Sequence, residues 1–230
     1  MLSKLNMMDD IIKDIRTDLR LAMNGFTSSS MRKKGLDYKM NFGVDVPRLK
    51  GIAAKYEANA DLAEKLWVLD VREMKILSTM LYPVEEFSEA DADRWANEVV
   101  TQEIREHYCI NLLQNIPYAN VLVEKWIADE SESIRITGFW LYVRLMLVQA
   151  DVLKSINKEL IIESAMQNIL PENGLLSQSA LNALKQMIRR DEDSAKVIMK
   201  HVANFANSEN SYEKEIFDSL QFEYDIRIMS

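Results

Sequence analysis

Six glycines and four prolines in 230 residues leave this chain few places to turn tightly. A β-sandwich or barrel needs a turn about every 8–12 residues, and most turns call on Gly or Pro. That scarcity argues against a sheet fold and for long helices. The apolar pattern agrees. In residues 5–23, Leu5, Met8, Ile11, Ile12, Ile15, Leu19 and Ala22 recur at three- and four-residue steps, which traces one face of a helix. Gly25 reads as its stop, and residues 27–30 read as a polar hinge. Pro47 suits the first turn of a helix over 47–58.

Further helices are predicted over 60–69, 71–81, 89–100, 102–114, 118–128, 133–149, 158–169, 175–190, 194–206 and 211–224. Ser88 reads as an N-cap, with Asp91 three residues on. Pro171 is expected beyond the end of the 158–169 helix, and no stretch alternates as a half-buried strand would. Pro47, Pro83 and Pro117 stand 36 and 34 residues apart, near the period of α-solenoids. The fold class is therefore all-α. A stack of antiparallel helix pairs is preferred, with a compact irregular bundle as the alternative. One domain over 1–230 is expected, ending in a C-terminal helix within 206–230.

Hydrophobic residues make up 48% of the chain, enough for a sizeable core. A single cysteine, Cys109, excludes a disulfide framework. It lies in an apolar stretch, so a buried, inert thiol is expected. With only His107 and His201, no metal site is expected, and nothing calls for a cofactor. No run reaches the ~18 apolar residues that would span a bilayer. The first residues mix charge with apolar side chains, unlike a targeting segment. A cytoplasmic monomer with no membrane partner is expected.

The net charge is −8, but it is unevenly spread. Residues 1–56 hold 11 Lys and Arg against 6 Asp and Glu, a net of +5; the remainder holds 17 against 30, a net of −13. The cations concentrate at Arg32, Lys33, Lys34, Lys39, Arg48 and Lys50, facing only Asp37 and Asp45. Charge beyond about 8 Å is screened at physiological salt, so a local basic patch on an acidic protein can hold a polyanion. A solvated loop is the plainer reading.

Phosphate loops, HExxH, nucleophile elbows and dinucleotide fingerprints are missing from the sequence. The densest polar run is Thr101–Tyr108. On a helix, Glu103 and His107 fall one turn apart on one face, with Glu106 beside them. A carboxylate there can orient the imidazole or raise its pKa; a surface ion-pair patch is the alternative. Trp67, Trp95, Trp126 and Trp140 lie in amphipathic helices, where core packing is the first expectation. A platform for a nucleobase or sugar is the second.

Three stretches resemble a known family. The first is Lys39-Met40-Asn41-Phe42-Gly43-Val44-Asp45-Val46-Pro47-Arg48-Leu49-Lys50. The second is Ala63-Glu64-Lys65-Leu66-Trp67 followed by Val71-Arg72-Glu73-Met74-Lys75-Ile76-Leu77. The third is Lys125-Trp126-Ile127-Ala128 followed by Ile134-Arg135. In order and spacing they resemble the AlkD-type DNA alkylation repair family over residues 31–150, and more loosely to about 205.

The resemblance implies an α-solenoid of HEAT-like helix pairs, curved so that a concave basic face holds duplex DNA. Active members are alkylpurine DNA glycosylases; two Trp and one Asp lie against the lesion's backbone and an Arg binds phosphate. A carboxylate and aromatic faces there stabilise positive charge developing on the sugar. The family's first Trp and its Asp should fall near residues 105–112. Here that run holds no Trp, and Asn111 stands nearest the Asp. The second Trp should fall within 178–184, where Ala180 and Ala183 stand. Arg135 matches the phosphate-binding Arg to within one position.

The candidate catalytic residues are therefore Glu103, Glu106, His107 and Asn111. The candidate DNA contacts are Arg32, Lys33, Lys34, Lys39, Arg48, Arg105 and Arg135. Two functions follow as expectations: a divergent alkylpurine DNA glycosylase, or a non-catalytic HEAT-repeat module binding nucleic acid or a protein.

Overall fold

The computed structural model describes the backbone of residues 2–170 and 174–229, and side chains from Met8 onward. The helix stop read at Pro171 lies outside the described residues. Among those described, thirteen α-helices and four short 3-10 turns account for the regular structure, with no strand. One isolated bridge joins Met40 to Val71.

Two compact units make up the chain: Met1–Ala92 with Val99–Ile116, and Asp93–Glu98 with Pro117–Ser230. The first unit contains α1 (Leu2–Leu21), α2 (Gly25–Lys33), α3 (Val46–Ala53), α4 (Ala60–Trp67), α5 (Arg72–Leu81) and α7 (Gln102–Asn111). The division falls within α6 (Glu89–Glu98). The second unit contains α8 (Ala119–Trp126), α9 (Glu132–Val148), α10 (Lys158–Asn168), α11 (Leu175–Arg190), α12 (Glu192–His201) and α13 (Ser211–Met229).

Helix starts follow the caps that the sequence offers. Ser88 and Asp91 form a reciprocal capping box at α6. Asp45 accepts the Arg48 N–H, and Pro47 sits in the first turn of α3. The hinge expected over 27–30 is instead helical. The Asn24 side chain accepts the Thr27 N–H and starts α2 one residue later, at Gly25. Its four central residues are Thr and Ser, so α2 carries no apolar stripe by which to be recognised.

In the first unit α4 pairs with α5, and α5 packs against both α3 and α7. Trp67 is fully buried and tilted against Tyr108, at 6.1 Å between ring centroids. Phe87 meets Tyr108 edge-on at 6.1 Å and Tyr82 edge-on at 4.7 Å, arrangements that aromatic quadrupoles favour. The Tyr108 hydroxyl is satisfied by the Ala92 carbonyl at 3.0 Å. Cys109 is buried, as expected.

In the second unit α8 pairs with α9, and α11 packs against α9, α10, α12 and α13. Buried positions ring α9 on nearly all sides, as befits a central helix. A Cβ at Gly138 would come within 2.9 Å of the Ile127 backbone nitrogen and 3.0 Å of the Trp126 Cβ, so the α8–α9 approach needs glycine there. Trp95 and Trp126 are buried, and the Trp126 indole donates to Asp93 at 2.8 Å. Trp140 is half-buried and donates to Ser179 at 3.1 Å.

Many polar ties between successive segments fall 31–33 residues apart, and others span 34–39, as from Arg189 to Glu223 and from Trp140 to Ser179. Lys39 to Asp70, Phe42 to Glu73 and Arg72 to Glu103 are each 31 residues apart. Thr79 to Asn111 and Asp93 to Lys125 are 32 apart, and Glu124 to Asn157 are 33 apart. The ties thus cluster near the length of one helical repeat, as stacked helix pairs require.

Candidate nucleic-acid interface

The first unit is organised around the loop that joins α2 to α3. Gly43 has φ +69°, and a Cβ on it would lie 2.4 Å from the Asn24 carbonyl oxygen and 2.6 Å from the Ser28 nitrogen. Glycine alone lets the loop lie so close to the start of α2. On that side the Asn24 N–H donates to the Phe42 carbonyl at 2.9 Å, and the Ser28 hydroxyl donates to the Asn41 carbonyl at 2.7 Å. The Gly43 N–H donates to the Asn41 side chain at 2.8 Å.

The other side of the loop rests on two adjacent charges at the head of α5. The wholly buried Glu73 carboxylate accepts the Phe42 N–H at 3.1 Å and the Val44 N–H at 3.2 Å. Arg72 donates to Glu73 at 2.9 Å and to the Val44 carbonyl at 3.0 Å. Its other two nitrogens form a fork on Glu103 of α7, at 2.8 and 2.6 Å. Burial works against the charge on Arg72, but the hydrogen bonds and charge of Glu103, and then of Glu73, outweigh it, so its pKa lies above the ordinary arginine value.

Along one face of α7, Glu103, His107 and Asn111 follow at four-residue steps. Glu103 is spent on Arg72. The Asn111 amide donates to the Thr79 hydroxyl at 2.9 Å and reaches His107 Nδ1 at 3.5 Å. With Nδ1 accepting, the neutral imidazole keeps its proton on Nε2. Burial lowers the His107 pKa, opposed by Glu103 and assisted by Arg72 and Lys50. Among the described residues Glu106 accepts only from Gln102, at 3.3 Å.

The depressed His107 pKa has a definite sign. The unfolded chain takes up the proton more readily, so the contribution is present above about pH 6.5 and is lost as pH falls below it. His107→Gln is therefore expected to flatten the denaturation midpoint between pH 7 and pH 5 relative to wild type. Equal slopes would refute this.

Five of the seven candidate DNA contacts are exposed on the first unit. Arg32 and Lys33 end α2, Lys34 caps it, Lys39 follows, and Arg48 lies on α3. Arg48 lies 3.8 Å from Asp45. Arg32, Lys33, Lys34 and Lys39 make no ion pair with any described residue, nor does the exposed Lys50. By contrast Lys13, Lys65, Lys125, Lys158 and Lys196 are all paired.

The remaining two candidates are placed differently. Arg105 is 5% exposed and donates to Gln102 at 2.6 Å, which removes it from the reach of a phosphate. Arg135 belongs to the second unit, where it donates to the carbonyls of Asp129 and Glu130 at 2.7 and 2.9 Å. Its Nε is buried without a partner.

Arg72 and Glu73 organise the site yet stand outside both sets of candidates. Their signal in the sequence is two successive charges opening a helix whose other positions are mostly apolar. Among the described residues, no group of three or more His, Cys, Asp or Glu could hold a metal ion, and no helix is long and apolar enough to cross a membrane.

A family model described as DNA alkylation repair enzyme matches residues 15–212. A solved structure described as "a new family of proteins related to the HEAT-like repeat DNA glycosylases with affinity for branched DNA structures" aligns with a TM-score of 0.74. Identity is 18%, over 93% of this chain and 94% of that one. The shared architecture is the HEAT-like helical repeat expected from the sequence. No curated protein matches the chain.

Proposed function

Because the chain belongs to the DNA alkylation repair enzyme family, we propose that it binds duplex DNA on a concave basic face, contacting phosphates through Arg32, Lys33, Lys34, Lys39, Arg48 and Lys50. The observation that carries this reading is that, of these six exposed cations, only Arg48 has a carboxylate partner among the described residues, Asp45 at 3.8 Å, in a chain of net charge −8. A cation already paired gains little from a phosphate, whereas a free one releases a condensed counterion from the DNA. The affinity for branched DNA stated for the similar structure supports the same class of ligand.

We further propose that binding does not lead to excision by the family's residues. Stabilising positive charge on a sugar calls for a free carboxylate aimed at it. Asn111 offers an amide already bonded to Thr79, and Glu103 is neutralised by Arg72. Glu106, half-buried and without an ion pair, is the one carboxylate of this set still available. It gives the glycosylase reading its remaining support.

Affinity for a duplex should fall linearly with log salt concentration. Lys33→Glu with Lys34→Glu should weaken binding at least tenfold and reduce the salt slope by about two. Fluorescence anisotropy across a salt series measures both. Affinity indifferent to salt would remove the reading. Alkylated duplex should yield no free methylated purine. Release that Glu106→Gln abolishes would replace the binding reading with a glycosylase.

A further inference from the structure

The outward face of α2 carries an apolar group as well as charge. Phe26 is 87% exposed, and Leu21 and Met23 just before it are 83% and 59% exposed. A lone apolar residue on a surface is ordinary, but three within six positions, at the end of α1, in the linker and on α2, concentrate exposed apolar surface at this turn. At 100° per residue, Phe26 and Lys33 come within about 20° of the same direction, with Ser29 about 60° to one side. Ser28 faces the opposite way and is buried against Asn41. One stripe of the helix thus presents an aromatic ring, a hydroxyl and one cation, Lys33.

Phe26 and Lys33 are about 10 Å apart along the axis, roughly the length of three stacked nucleotides. Hydrogen bonds to Asn41 and Phe42 hold α2 in place, so the ring and the cation are positioned before any ligand arrives. Anionic phosphate complements the cation. In a continuous duplex each base face is covered by its neighbours, and an aromatic ring finds a free one only where stacking is interrupted. From this geometry, and resting on the DNA-binding reading above, we infer that Phe26 stacks on an exposed base face at a branch, gap or unpaired end while Lys33 holds the adjoining phosphate. The stripe selects interrupted duplex over continuous duplex.

The test uses the full chain with two DNA probes of equal nucleotide count, a continuous duplex and a three-way junction. Phe26→Ala should weaken junction binding about tenfold, leave duplex binding unchanged, and regain junction affinity as Phe26→Trp. The position is exposed, so folding should be unaffected; circular dichroism checks this. Equal loss on both probes, or none on either, overturns the inference while the DNA-binding reading stands. A wild-type chain that binds neither probe overturns both. A shift to smaller size on gel filtration with Phe26→Ala would assign the patch to a second copy of this chain and overturn the inference.

Discussion

Glu73→Ala is expected to lower the stability of the first unit by about 3–5 kcal/mol, the usual cost of breaking a buried ion pair from one side. Two buried donors lose their partner at once, the Phe42 N–H and the Val44 N–H, and Arg72 Nη1 keeps only the Val44 carbonyl. Buried donors left unmade carry the full cost of desolvation. Arg72 would retain Glu103 on its other two nitrogens, so its charge is not orphaned. Urea denaturation followed by tryptophan fluorescence, with Trp67 buried in this unit, measures the change. A loss under 1 kcal/mol would mean that the carboxylate does not hold the loop.

Gly43→Ala should cost about 2–5 kcal/mol by a different route. A left-handed backbone conformation is worth roughly 1–2 kcal/mol against any L-residue, and forcing atoms into a packed site adds about 1–3. Both colliding atoms belong to the backbone of the turn into α2, which cannot rotate away as a side chain could. For a chain of this size the melting temperature should drop by about 4–20 °C. Duplex binding should weaken as well, because α2 loses its seat. Gly51→Ala is the control, since a Cβ there meets nothing within 4 Å. Equal effects at the two glycines would refute the argument.

Helices announced by an apolar stripe, such as α4, α5 and α11, are visible in the sequence because burial imposes a 3.6-residue period. The starts of α3 and α6 are equally visible, since Asp45, Pro47, Ser88 and Asp91 act locally. α2 is hidden because its stability comes from Asn24 and from bonds to a loop thirteen residues downstream. The same contrast divides the site. Glu103, His107 and Asn111 share a face by spacing alone. Their partners Arg72 and Thr79 lie about one repeat away and cannot be assigned without the stacking. Arg105 resembles a surface cation, yet Ile104 and Tyr108 carry its side of α7 inward.

The chain of bonds from Asn24 through Phe42 and Glu73 to Arg72 and Glu103 has a consequence for how the first unit opens. Stacked repeats often fray one at a time from an end, because each touches only its neighbours. Here a single polar relay fastens α2, the following loop, α5 and α7, so releasing any one strands buried donors in the others. The Phe42 and Val44 amides should therefore exchange with solvent deuterium only when the entire unit lets go, with protection as high as that of its deepest helices.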